Sequence, residues 1–378
     1  SFGDGKIPLT RPRRTDSLLT NRKRFEPGSR MNLKELAQSL GLSQTTVSRA
    51  LNGYPEVSEA TRTRVRQAAE QHNYRPNTRA KALATGRSLT IGHVIPVSTK
   101  HEMVNPVFAD FIAGAAEVYA DNGYDITLSM VRDADEAAAY RTLAAKGAVD
   151  GNIVHAPRTA DPRIALLSEL NLPFVVHGRA SDVTLPYSWL DVNNRRGFQR
   201  ATEFLIDLGH RRIGLINGLE HLDFAIRRRQ GYLAGLSARG LDVDPVLMTQ
   251  GEMTESYGRS AARAQLDLAD PPTAFIASSI IVAIGARRAV EERGLTLGRD
   301  VSIIAHDDDL SYFRNDETVP LFTALRSSVR EAGRRAADML LAQVAHPAVA
   351  PQRELMEVDL MVGRSTGPAP LSTARRQG

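Results

Sequence analysis

Gln44, Thr45, Ser48 and Arg49 fall at the spacing of one helix face, and their chemistry is that of hydrogen-bond readers. Short hydroxyl and amide groups beside one forked guanidinium suit base edges and phosphates in a major groove. A second cluster, His306-Asp-Asp-Asp309, has the residue types of a metal or acid–base site. Adjacent positions on one chain cannot all converge on one ion, and no second His/Glu set stands at ligand spacing. The chain has no Cys, hence no disulfide framework, thiolate metal site or thiol nucleophile. It also has no Gly-rich phosphate loop in strand–helix context and no nucleophile elbow. The expectation is a binding protein without enzymatic activity, metal or cofactor.

The polar face needs a helix pair to position it. Leu33, Leu36, Ala37 and Leu40 recur at helical spacing until Gly41 breaks the helix. Ser43 is placed to cap a second helix, whose Val47, Ala50 and Leu51 turn inward. After the loop that opens at Asn52, Ser58 caps a third helix reaching about Asn73, with Val65, Ala68 and Ala69 inward. Such a hairpin fits a helix-turn-helix, and taken alone it also fits a structural αα-corner.

Charge separates the front of the chain from the rest. Residues 1–88 hold 17 Lys/Arg against 7 Asp/Glu, and the remainder holds 31 against 36. A basic front and an acidic body suggest that the front meets a polyanion. Residues 1–30 are rich in Arg, Pro, Ser and Thr without a helical stripe and are expected to be disordered. They read either as a basic arm or as an extension upstream of a start at Met31, the reading we favour. No apolar run is long enough to span a bilayer, and residues 1–30 lack the apolar core of a secretory signal, so a cytoplasmic location is expected.

From Leu89 onward, short apolar runs alternate with amphipathic helices. Strands are expected at about 89–96, 125–130, 151–154 and 173–176, with helices at about 106–122 and 134–146. A break near Trp189–Asp191 opens a second set. It has strands at about 212–216, 274–277 and 301–305 and helices at about 194–208, 224–239 and 255–268. Strand–helix alternation means parallel sheets covered on both faces, and two sets suggest two lobes. Ligands in such folds bind beyond the carboxyl ends of the strands, here in a cleft between lobes.

The words TTVSRALNG, VSEATRTRV and NYRPNTRAKALATG make the span from Leu33 to Gly86 resemble the headpiece and hinge of the LacI/GalR family of bacterial transcription repressors. FLIDLGHRRIGLI, RRRQGYLAGL and VSIIAHDDDLS resemble stretches of that family's core, carrying the likeness to about Arg364. The resemblance implies a helix-turn-helix headpiece plus an α/β two-lobed, periplasmic-binding-protein-like core of parallel sheets with three crossovers. The implied domains are a disordered extension at 1–30, a headpiece at 31–75, a hinge at 76–88 and a core at 89–378. Lobe 1 would take about 89–190 and 329–356, and lobe 2 about 191–327 and 357–366, with the segment 320–326 carrying the chain back.

The resemblance extends the DNA-contacting set to Gln44, Thr45, Thr46, Ser48, Arg49, Asn52 and Tyr54, with Asn77, Ala80, Lys81 and Leu83 in the hinge. The hinge holds good helix formers over a length that is marginal alone in water. In the family this segment becomes helical on operator DNA and a Leu wedges into the minor groove. Here that residue is Leu83, whose alternative is to pack on the core. For an effector pocket the resemblance points to Arg228, three before Gly231, and to Asp307 after the strand, with Asp308 and Asp309 read as structural or solvated. The alternative for Arg228, flanked by Arg227 and Arg229, is a solvated helix face.

His177-Gly-Arg179 and Ser278-Ser279 replace the family's commoner residues, so His177 and Ser278 join the candidates. Phe108 and His155 are open between ligand contact and packing. With Tyr187–Asp191 these departures give an impression of α-glucoside-type regulators. The implied partners are double-stranded, pseudo-palindromic operator DNA, a sugar or related small molecule, and a second copy in a homodimer, with no membrane partner. The C-terminal stretch from Leu360 carries no leucine heptad. A solute-binding protein without a regulatory role would share the core, but would need an export signal and have no use for Thr45, Arg49 and Leu83.

Overall fold

The computed structural model describes residues 31–74, 86–96, 106–315 and 318–371. The expected extension at 1–30 and the hinge candidates Asn77, Ala80, Lys81 and Leu83 lie outside these residues. The chain divides into two compact units, at Lys81/Ala82.

The first unit is three short helices: α1 (Leu33–Leu40), α2 (Gln44–Leu51) and α3 (Glu59–Gln71). Each begins on a side-chain cap. Asn32 and Glu35 form a reciprocal capping box, Ser43 accepts from Thr46 N, and Ser58 accepts from Thr61 N. Gly41 closes α1 at φ +65°, a conformation that favours glycine. Leu36, Ala37, Val47, Ala50, Val65 and Ala69 form the core that sequence periodicity indicated, joined by Val57 from the loop.

The second unit holds two six-stranded sheets. Their strands are β1 (Thr90–Pro96), β2 (Asp125–Val131), β3 (Gly151–His155), β4 (Phe174–His177), β5 (Ser188–Val192), β6 (Ile213–Asn217), β7 (Met248–Gln250), β8 (Ala274–Ala277), β9 (Ser302–Asp307), β10 (Thr323–Arg326), β11 (Arg353–Met356) and β12 (Asp359–Met361). The orders are β11-β5-β4-β3-β1-β2 and β12-β10-β9-β8-β6-β7. All pairings are parallel except β10 with β12. The helices are α4 (Pro106–Asp121), α5 (Glu136–Ala145), α6 (Pro162–Glu169), α7 (Asn194–Asp207), α8 (Asp223–Ala238), α9 (Glu255–Leu266), α10 (Ile280–Glu291) and α11 (Val329–Ala345). The chain passes between sheets after β5, after β10 and between β11 and β12.

Several elements lie outside the periodicity reading, β5, one helix of each lobe and the short strands β7, β11 and β12 among them. The expected break near Trp189–Asp191 is strand β5, which ends the first sheet's run before the crossover. Helix α6 carries its apolar residues as one consecutive run, 164–167, which marks no single face. In α10 the buried set Ile280, Val282, Ala283, Gly285, Ala286, Ala289 and Val290 leaves little polar face to mark the helix.

Helix pairs meet at glycines because their backbones touch. A Cβ on Gly114 of α4 would lie 2.0 Å from Arg330 O, and one on Gly333 of α11 would lie 2.1 Å from Phe111 O. Gly258 of α9 and Gly285 of α10 repeat this reciprocity, at 2.2 Å from Val282 O and 2.0 Å from Glu255 O. The obstacle is backbone, so no rotamer change relieves it. Gly333→Val should therefore destabilise the core by about 3 kcal/mol, the upper part of the usual overpacking range. Urea unfolding checks this, and a midpoint equal to the parent's would show that the helices can part without loss.

Candidate functional site

Two faces merit consideration. On α2, Gln44, Thr45 and Arg49 are exposed, whereas Thr46 and Ser48 are half-buried. The Thr46 hydroxyl lies 2.8 Å from Ser43 Oγ, so it serves the helix cap. Asn52 and Tyr54 are exposed after α2, and Asn52 Nδ2 donates to Ser48 O. The structure thus presents Gln44, Thr45 and Arg49 from the helix and Tyr54 from the loop.

In the second unit a cavity of about 440 Å³ lies at the carboxyl ends of the strands, between the two sheets. Lobe 1 supplies His155 at the end of β3, His177 at the end of β4, and Phe108 and Phe111 from the first turns of α4. The rings interlock: Phe108 meets His155 edge-on at 5.0 Å between centroids, and Phe111 stacks on His177 at 4.3 Å. Beneath them His93 Nδ1 lies 3.0 Å from His155 Nε2. Burial lowers all three imidazoles, His177 to about 4 and His93 to about 3, so each is neutral near pH 7.

Lobe 2 supplies Phe224, Arg227 and Arg228 from α8, and His306 and Asp308 from the end of β9. Arg228 is buried, with its guanidinium carbon 4.8 Å from the Phe224 ring and 5.2 Å from the Phe198 ring. Its Nε donates to Asn194 Oδ1 at 2.8 Å and its Nη1 to Ser278 O at 2.5 Å. Desolvation lowers it to about 10, still a cation at neutral pH. His306 Nε2 lies 3.2 Å from Asp308 Oδ1. Burial works to raise Asp308, but His306, with Arg228 and His177 adding, brings it below the usual carboxyl range. Burial lowers His306, so a neutral imidazole meets a carboxylate.

Of the six sequence candidates, Phe108, His155, His177 and Arg228 line this cavity. Asp307 does not. Side chains alternate along a strand, so His306 and Asp308 share the cleft face and Asp307 turns to the other. There it accepts Asp309 N at 2.9 Å. Asp308, read as structural or solvated, lines the cavity while its carboxylate holds His306. Ser278 also stays out of the lining: its hydroxyl is buried without a partner, and its carbonyl serves Arg228.

Burial, reinforced by Asp308 and Asp309 and opposed by the Asp309 amide and Arg326, pushes the Asp307 carboxyl up to about 6. A folded-state value above the ordinary carboxyl value of about 3.9 means that the folded state binds more protons between about pH 4 and pH 6. Stability from this group is present below pH 4 and lost as pH rises through 6. Asp307→Asn should flatten that part of the melting-temperature profile between pH 7 and pH 4. An unchanged slope would assign it to another group.

Sequence reasoning missed Arg227. It is buried, 2.7 Å from Asp223 of its own helix and bonded to Asp191 of β5 through both terminal nitrogens, the longer contact being 3.3 Å. Arg179 also reaches Asp191, at 3.0 Å, and Ser181 N donates to Asp223 Oδ2 at 2.6 Å. The Arg227–Asp191 and Ser181–Asp223 contacts cross from one lobe to the other. Three consecutive arginines on a helix gave no sign of which were buried.

The headpiece and the two-lobed cleft together define a DNA-binding regulator with a ligand-sensing core, and the comparisons agree. Residues 32–77 match the family model "Bacterial regulatory proteins, lacI family". Residues 202–366 match "Periplasmic binding protein-like domain". The HTH-type transcriptional regulator AglR of Rhizobium meliloti (strain 1021) is 45% identical over 341 residues, covering 90% of this chain and 95% of that protein. The HTH-type transcriptional regulator CelR of Thermobifida fusca is 30% identical, over 90% of this chain and all (100%) of that one. A solved CelR–cellobiose complex aligns with TM-score 0.66 and 29% identity, over 89% of this chain and 100% of its own. The lac repressor dimer bound to operator and the anti-inducer ONPF aligns with TM-score 0.77 and 26% identity, over 90% and 100%. The chain belongs to the lacI family of bacterial regulatory proteins. It is a DNA-binding transcription regulator. Among the described residues no helix is long and apolar enough to cross a membrane.

Proposed function

We propose that the protein is a repressor of a sugar-uptake or catabolic operon, acting in the cytoplasm as a homodimer on a pseudo-palindromic operator and controlled by a sugar. The observation that carries this is Arg228, held rigid by Asn194 and Ser278 in a cleft that also presents Asp308, His155 and His177 between aromatic walls. A guanidinium donor, a carboxylate acceptor and neutral imidazoles match the alternating donor and acceptor character of hydroxyls. Phe108 and Phe111 offer apolar faces to the C–H side of a ring. In this reading Asn77, Ala80, Lys81 and Leu83 add the hinge contacts to DNA.

A sugar that binds one lobe arrangement better than the other shifts operator affinity by the difference in its affinities, typically about 5–150-fold. The test is operator binding at fixed salt with and without candidate sugars. Thr45→Ala and Arg49→Ala should each cost about 1–3 kcal/mol at the matched operator and much less on random DNA. Equal losses on both DNAs would reduce these side chains to phosphate contacts, and operator affinity indifferent to every sugar would end the sugar reading.

A further inference from the structure

The cations inside this cleft already have partners. Arg163 is closed between Glu136 at 3.0 Å and Asp161 at 2.6 Å. Arg227 is closed between Asp191 and Asp223. Arg228 spends two donors on Asn194 and Ser278, and Asp308 adds a negative charge within electrostatic reach. Among the described residues, five carboxylates and four guanidiniums line the cavity, with no lysine. The remaining guanidinium, Arg158, is exposed rather than interior. The imidazoles of His155, His177 and His306 carry no positive charge to spare.

The geometry points to an uncharged carbohydrate as the ligand of this cleft, with sugar phosphates and uronic acids turned away. This inference rests on the sugar reading above. A hydroxyl can donate to Asp308, accept from Arg228 and do either with an imidazole, so a neutral polyol satisfies every group it meets. A phosphate or carboxylate entering the same space would face Asp308 and Asp191 while losing its water, and the one interior cation with donors left for a ligand, Arg228, already lies in the field of Asp308. Rejection by unlike partners is as much a part of selectivity as attraction by matched ones.

The experiment is a thermal-shift and calorimetry series on the full-length protein. Glucose, maltose, cellobiose, trehalose and sucrose are compared with glucose 6-phosphate, trehalose 6-phosphate, sucrose 6-phosphate, glucuronate and maltobionate at equal ionic strength. Binding to the folded state raises the melting temperature by mass action. At least one neutral sugar should raise it, and its charged counterpart should need at least 100-fold more ligand for the same shift. A charged sugar that binds as tightly as its neutral parent overturns the inference and leaves the sugar reading standing. Silence in both series overturns the two together. Asp308→Asn supplies the second arm: the preference for neutral over phosphorylated ligand should fall at least tenfold, and an unchanged preference would overturn the role given to Asp308.

Discussion

Arg228→Ala should erase the response to sugar while leaving sugar-free operator binding within about twofold of the parent, because the DNA-reading face belongs to the other compact unit. The parent side chain is fixed by two short hydrogen bonds and by Phe198 and Phe224, so little entropy remains to be lost when a sugar arrives. Truncation removes the donors and orphans Asn194 Oδ1 and Ser278 O inside the protein. Losing one partner of a buried hydrogen-bonded charged contact typically costs about 2–5 kcal/mol of binding, roughly a thirtyfold to several-thousandfold loss of affinity. Arg228→Lys should fare little better, since an ammonium cannot reproduce a planar fork that serves two acceptors at once. Calorimetry with a neutral sugar that raises the parent's melting temperature, beside a melting curve to confirm folding, reads the result. Unchanged sugar affinity in Arg228→Ala would remove this residue from the site.

The headpiece was legible because its information is local. Caps at Ser43 and Ser58 and the apolar spacing of Leu36, Val47 and Val65 sit within a few residues of the structure they specify. The α/β alternation was legible for the same reason, whereas short α6, strand β5 and the apolar α10 lacked a clear period. The cleft was legible only in part. The sequence word around residues 302–311 marked the strand end, but which of three consecutive aspartates faces the ligand depends on where the strand stops alternating. The structure puts His306 and Asp308 on the cleft side. Arg228 was marked by the family resemblance, as the Arg three before Gly231, and not by any period of its own helix. The partner of Arg227 on the opposite lobe, Asp191, is 36 residues away in sequence, beyond any periodicity.

Arg227 carries the last prediction. Its guanidinium lies between two carboxylates that are nearly or fully buried, Asp191 at 2% exposure and Asp223 at 0%. Arg227→Met keeps the bulk of the side chain and removes the charge. Asp191 then has Arg179 alone, and Asp223 has the Ser181 amide. Breaking a buried pair by deleting one partner costs about 3–5 kcal/mol, because the survivor stays desolvated. Urea unfolding at pH 7 should show that loss. Burial already raises Asp191 against the pull of both arginines, so without Arg227 it should titrate higher still. A carboxyl raised in the folded state destabilises above its unfolded value of about 3.9 and ceases to do so as it is protonated. The deficit of the variant should therefore shrink as pH falls from 7 toward 4. Adding Asp191→Asn and Asp223→Asn should recover part of the stability at pH 7, since no buried charge is then left alone. Sugar affinity should fall as well, because Arg227 ties α8 of one lobe to β5 of the other and so favours the closed cleft. A single variant with the parent's urea midpoint and sugar affinity would show that the tie holds nothing, and that packing at the α8 N-terminus keeps the lobes together without it.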